Sequence, residues 1–101
     1  MKIEHLNSYD EVAKFLAGPG KRALYFSTTV CVTCKTWKPL VEGYFEQWQV
    51  PIHEVNLMEL PKLARELGVM GVPSLRIYED GKEIGEFSNH HTKSQIATVL
   101  G

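Results

Sequence analysis

The sequence predicts an α/β domain on a mixed five-stranded sheet, in the order βαβαβαββα, with helices on both faces. Two patterns carry the prediction. Strand-like apolar runs alternate with segments of helical periodicity, which implies right-handed crossovers and parallel strand pairs. Near the end, Asp80-Gly81 stands between two strand-like runs, a hairpin signal that adds antiparallel strands. With 101 residues the chain fits one domain, residues 1–101, and can bury a core without disulfide or metal staples.

Lys2 to Leu6 is a short strand candidate. Ser8 and Glu11 have capping-box spacing, and Val12, Phe15 and Leu16 give the following helix an apolar face until Gly18-Pro19-Gly20 ends it. Arg22 to Ser27 is apolar with few interruptions, as expected of a central strand buried on both faces. A long helix then runs to about Trp48, with Trp37, Leu40, Val41, Tyr44, Phe45 and Trp48 on one stripe and Pro39 placed to kink it. Pro51 to Leu57 is the next strand, interrupted by Glu54. Pro61 suits the start of a short helix and Gly68 the residue past its end. Ser74 to Glu79 and Glu83 to Phe87 form the hairpin, and Thr92 caps a last helix carrying Ile96, Val99 and Leu100.

The only two cysteines, Cys31 and Cys34, open the long helix three residues apart. Positions i and i+3 share a helix face, so a disulfide could close with little backbone movement. The unpaired N–H groups and positive dipole end at a helix start favour thiolate over thiol, which makes Cys31 the better nucleophile. Other readings of the pair stay open at this point. As a structural staple it closes a four-residue loop, worth only about 2 kcal/mol in the chain-entropy model. As half of a zinc site it needs two more ligands; no other cysteine exists to supply them, and of His5, His53, His90 and His91 the adjacent His90-His91 are the plausible helpers. Two inert core cysteines are the third reading.

Eleven Lys and Arg against twelve Asp and Glu give a formal net charge of −1, so no charge excess argues for nucleic acid or a membrane surface. Met1-Lys2-Ile3-Glu4-His5 lacks the apolar core of a signal peptide, and nowhere do 18 apolar residues run together. A cytoplasmic location is therefore expected, where thiols stay reduced and a close cysteine pair is more often catalytic, redox-sensing or metal-binding than structural.

Four features in order resemble the thioredoxin family over nearly the whole chain: Cys-x-x-Cys-Lys after a strand, Pro39 five residues beyond Cys34, Gly68-Val69-Met70-Gly71-Val72-Pro73-Ser74, and Asp80-Gly81. The resemblance implies a thioredoxin fold and a thiol-disulfide oxidoreductase in which Cys31 attacks a substrate disulfide and Cys34 resolves the mixed disulfide. It implies a cis Val72-Pro73 bond, with the Val72 backbone pairing to an extended substrate segment and Pro73 shielding the sulfurs from metal. Val32 and Thr33, between the cysteines, would complete the substrate-facing surface. No cofactor beyond the cysteine pair and no metal is implied. Implied partners are protein disulfides or mixed disulfides with low-molecular-weight thiols, and a thioredoxin reductase, with the chain a monomer.

The sequence departs from the family at several positions. Tyr25 stands where thioredoxins place a buried aspartate, and Glu54 where its lysine partner would be. The expectation is that Glu54 faces the space behind Cys34, hydrogen-bonded to Tyr25, and is the base of the second step. Val30 replaces a tryptophan, Val32-Thr33 replaces Gly-Pro, and Ser88-Asn89-His90-His91 is polar where the family is small and apolar. The alternative to an enzyme is a thioredoxin-fold binding or redox-sensing module that uses the cysteine pair as a switch or metal ligand without turnover.

Overall fold

The computed structural model describes residues 1–100. In chain order these form β1 (Glu4–His5), α1 (Tyr9–Ala17), β2 (Lys21–Ser27), α2 (Val32–Trp48), β3 (Ile52–Asn56), α3 (Lys62–Glu66), β4 (Ser74–Glu79), β5 (Lys82–Phe87) and α4 (Lys93–Leu100). The alternation read from the sequence is present throughout. β1 is shorter than the apolar run suggested, because only Glu4 and His5 find ladder partners, in His53 and Glu54. β5 begins at Lys82, since the turn needs only Asp80 and Gly81, at φ 50° and 85°. Two successive left-handed residues match the twist of the flanking strands, which is why Asp-Gly suits this place.

The strands lie in the order β1-β3-β2-β4-β5. β3 is parallel to both β1 and β2, whereas β4 is antiparallel to β2 and β5. β2 is therefore central, and its residues Ala23 to Phe26 are fully buried. Strand alternation sends Ala23 and Tyr25 to one face and Leu24 and Phe26 to the other. On the first face they meet Trp37, Val41 and Phe45 of α2 and Ile96 of α4. On the second they meet Val12 of α1 and Leu63 of α3. Truncating a fully buried ring such as Phe45 to alanine would cost about 3–5 kcal/mol, a large share of a small domain's stability.

Local signals set the helix starts. Ser8 Oγ accepts the Glu11 N–H at 3.1 Å, and Glu11 Oε1 accepts the Asn7 N–H at 2.8 Å. Thr92 and Gln95 cap α4 reciprocally, through Gln95 N to Thr92 Oγ1 at 3.2 Å and Thr92 N to Gln95 Oε1 at 2.8 Å. Phe26 at the exit of β2 pairs with Ser74 at the entry of β4. The β2–α2 turn and the loop before β4 therefore lie at the same end of the sheet, which is where the cysteines are.

Candidate active site at the start of α2

Cys31 is the N-cap of α2, with φ −88° and ψ 103°. Its Sγ accepts the Cys34 backbone N–H at 3.0 Å. A sulfur in the capping position meets both the orphan amides and the positive end of the helix dipole, so negative charge on Cys31 is favoured there. The two cysteines form a disulfide, with Cα atoms 5.3 Å apart. Cys31 is half-buried, while Cys34, one turn further in, is 2 % exposed. Around this pair Val30, Val32, Thr33 and Lys35 stand exposed. The accessible sulfur is thus the one that the helix start activates.

Behind Cys34 lies a cavity of about 280 Å³, lined among others by Cys34, Lys38, Ser27, Glu54 and His5. Glu54 does face this space, buried on β3 beside Tyr25 of β2 in the parallel register. The expected hydrogen bond between Tyr25 and Glu54 is absent. Tyr25 Oη instead donates to the Cys34 carbonyl oxygen at 2.5 Å. Burial first, then the negative charges of Glu54 and Glu42, raise the Tyr25 hydroxyl well above the ordinary tyrosine range, so it stays a donor.

Glu54 takes three other partners. Ser27 Oγ, two residues beyond Tyr25 on the same strand face, donates to Oε2 at 2.6 Å. Lys38 Nζ lies 2.5 Å from Oε1, a close ion pair whose direction is not that of a hydrogen bond, so Oε1 has no directed donor. His5 Nε2 is 3.4 Å from Oε2. Sequence reasoning missed all three. Lys38 had a signal, since it sits at i+4 from Cys34 and so on the same side of the helix. Ser27 had one in strand alternation, and His5 had none.

The Val72-Pro73 peptide is cis. Met70, two residues before it, is 98 % exposed. Beside this loop runs a groove of about 430 Å³, lined by Gly68, by Met70 to Ser74, by Arg76 and by Glu86 to His91. His91 Nδ1 accepts the Ser88 N–H at 3.0 Å, and its ring packs edge-on against Phe87. That bond engages His91 within its own loop, and His90 and His91 both line the groove beside Val72 and Pro73. His53 Nδ1 lies 3.1 Å from the Glu4 carbonyl oxygen. Among the described residues no group of three or more His, Cys, Asp or Glu is placed to hold a metal ion. Nor is any described helix long and apolar enough to cross a membrane.

A family model described as Thioredoxin matches residues 7–101. Rabbit (Oryctolagus cuniculus) thioredoxin is 29% identical over 99 residues, covering 97% of this chain and 93% of its own. Bovine (Bos taurus) thioredoxin is 31% identical over 75 residues, covering 73% of this chain and 71% of its own. Among solved structures, a mutant thioredoxin from Halobacterium salinarum superposes with a TM-score of 0.85 at 21% identity, over 98% of this chain and 88% of that one. Oxidised mitochondrial thioredoxin 3 from Saccharomyces cerevisiae gives 0.84 at 21% identity, over 97% and 92%. Thioredoxins act on disulfide substrates through the cysteine pair, need no cofactor, and are reduced in turn by thioredoxin reductase. With its Cys31-Cys34 disulfide at the start of α2 and a family match across nearly its whole length, the chain belongs to the thioredoxin family of thiol-disulfide oxidoreductases.

Proposed function

We propose that this protein reduces protein disulfides, and mixed disulfides with low-molecular-weight thiols, in the cytoplasm as a monomer that a thioredoxin reductase regenerates. The observation that carries the assignment of roles is the N-cap bond, in which Cys31 Sγ accepts the Cys34 N–H while Cys34 itself is buried. Cys31 thiolate attacks one sulfur of the substrate disulfide. That S–S bond breaks, one substrate thiolate leaves, and Cys31 is joined to the other substrate sulfur. Cys34 then attacks Cys31 Sγ, the Cys31-Cys34 bond forms, and the second substrate thiolate leaves. Two electrons pass from the dithiol to the substrate, whose thiolates take protons from solvent.

Cys34 must lose its proton to become the attacking thiolate, and Glu54 receives it across the shared cavity. At about 280 Å³ that cavity has room for bridging water between polar walls. Lys38 compensates the carboxylate, Ser27 fixes its orientation, and His5, with a side chain 41% exposed, connects it to solvent. Val72 offers backbone groups to an extended substrate segment, while Pro73, Val32 and Thr33 form the surrounding surface.

Trapping separates the two cysteine roles. With insulin as the disulfide substrate, Cys34→Ser should accumulate a mixed disulfide on Cys31, visible by mass after acid quench, and Cys31→Ser should accumulate none. Accumulation on Cys34 in the second variant would reverse the assignment.

A further inference from the structure

Arg76 is a charged residue in the middle of β4, yet only 4 % exposed. Such a group stays charged in a core only when its donors are occupied. Its Nε donates to Ser74 Oγ at 3.0 Å. Nη1 donates to the Leu67 carbonyl at 3.1 Å and to Glu83 Oε1 at 2.7 Å. Nη2 donates to the Gly68 carbonyl at 3.0 Å and pairs with Glu86 Oε2 at 3.5 Å. The contacts to Leu67 and Gly68 lie just upstream of residues 69–73 and that to Ser74 just downstream. One planar guanidinium therefore spans both ends of the loop that carries Val72-Pro73.

The charge balance depends on an irregularity in β5. Glu83 and Glu86 are three residues apart, so on a regular strand they would point to opposite faces. The ladder pairs Ile77 with Gly85 but Tyr78 with Glu83, so Ile84 is skipped as a bulge. The bulge turns Glu83 to the face of Arg76, where Glu86 already lies as its cross-strand partner. Two carboxylates thus meet one buried cation, and the guanidinium is held in the one plane that also reaches both loop ends.

We infer that Arg76 is a positioning residue for substrate recognition: it holds the 69–73 loop in the conformation in which the Val72 backbone pairs with the substrate. The inference rests on the proposed strand addition at Val72. Lysine cannot replace it, because an ammonium is a compact point charge and cannot reach both loop ends in one plane.

The test compares two peptide disulfides of identical sequence, one with free backbone amides and one N-methylated at the residues flanking its cysteine. The wild type should reduce the methylated peptide more slowly, through KM. Arg76→Lys should raise KM for the free peptide about tenfold, the size of one charge-assisted hydrogen bond's worth of preorganisation, and shrink the methylation penalty. The kcat and the Cys31-Cys34 midpoint potential should stay unchanged, which a general loosening of the domain would not leave so. Ser74→Ala, which cuts only the downstream contact, should shift KM the same way by less and serves if Arg76→Lys does not fold. A wild type blind to methylation overturns the strand-addition reading and this inference with it. A wild type that discriminates beside variants that discriminate equally overturns the role of Arg76 alone.

Discussion

Replacing Glu54 by glutamine removes one negative charge from the cavity behind Cys34 and keeps the side chain's volume. General-base assistance is typically worth 10² to 10⁴ in rate. Because the cavity also borders Thr28, Thr29 and Lys35 on its outer side, water can take over part of the role, so resolution of the mixed disulfide should slow by about 10²-fold. Stability has its own signature. Removing one partner of a fully buried ion pair costs about 3–5 kcal/mol, but Lys38 keeps 27% of its side chain exposed and can turn to solvent, so about 1–2 kcal/mol is expected. Rapid-quench mixing of reduced protein with a peptide disulfide, scored by alkylation and mass, separates formation of the mixed disulfide from its decay. Formation should be unaffected, since Cys31 is activated by the helix start. An unchanged decay rate with an unchanged pH profile would refute Glu54 as the proton acceptor.

Two tyrosines give further tests. The Tyr78 hydroxyl is buried without a hydrogen-bond partner, so Tyr78→Phe should raise stability at neutral pH by about 1 kcal/mol in urea unfolding, and a loss of that size would mean the hydroxyl is engaged. Burial, with a smaller push from Glu83 against a pull from Arg76, takes Tyr78 from 10.0 up to about 12. Tyr78 is therefore neutral in both states below pH 10 and leaves stability independent of pH there, whereas about 2–3 kcal/mol is lost as pH rises from 10 to 12, where the unfolded chain ionises first. Alkaline unfolding of Tyr78→Phe should lack that loss. Tyr25→Phe, by contrast, removes a buried bond to the Cys34 carbonyl and should cost about 1 kcal/mol, measured as a lower urea midpoint; no change would show that the bond is unimportant.

Features encoded locally were legible in the sequence. Strand alternation, Ser8 and Thr92 as caps, Asp80-Gly81 as a left-handed turn and two cysteines at i and i+3 each act within a few residues, and together they gave the order of elements. Glu54 was legible as a charged interruption of an apolar strand, hence as a buried group needing partners. Its partners were not, because Ser27, Lys38 and His5 come from three other elements and meet only once the register of β1, β2 and β3 is set. Tyr25 illustrates the same limit from the other side. Its neighbour in the sheet is Glu54, but the phenol reaches past it to α2. Arg76 escaped notice for a further reason. One of the two residues that neutralise it, Glu83, reaches its face only through a bulge at Ile84, and one extra residue in a strand reverses which face the side chains beyond it occupy.

The central claim is that Cys31 and Cys34 form a reversible couple that works in the reducing direction. A titration of metal-free protein in thiol/disulfide buffers, scored by alkylation and mass, tests it directly. Related couples span about −270 to −120 mV, a difference of roughly 7 kcal/mol. The expected result is one two-electron transition with a midpoint below about −230 mV, among the reductants. A midpoint near −120 mV would make the protein a disulfide donor, and no reversible intramolecular disulfide at all would contradict dithiol exchange as its chemistry.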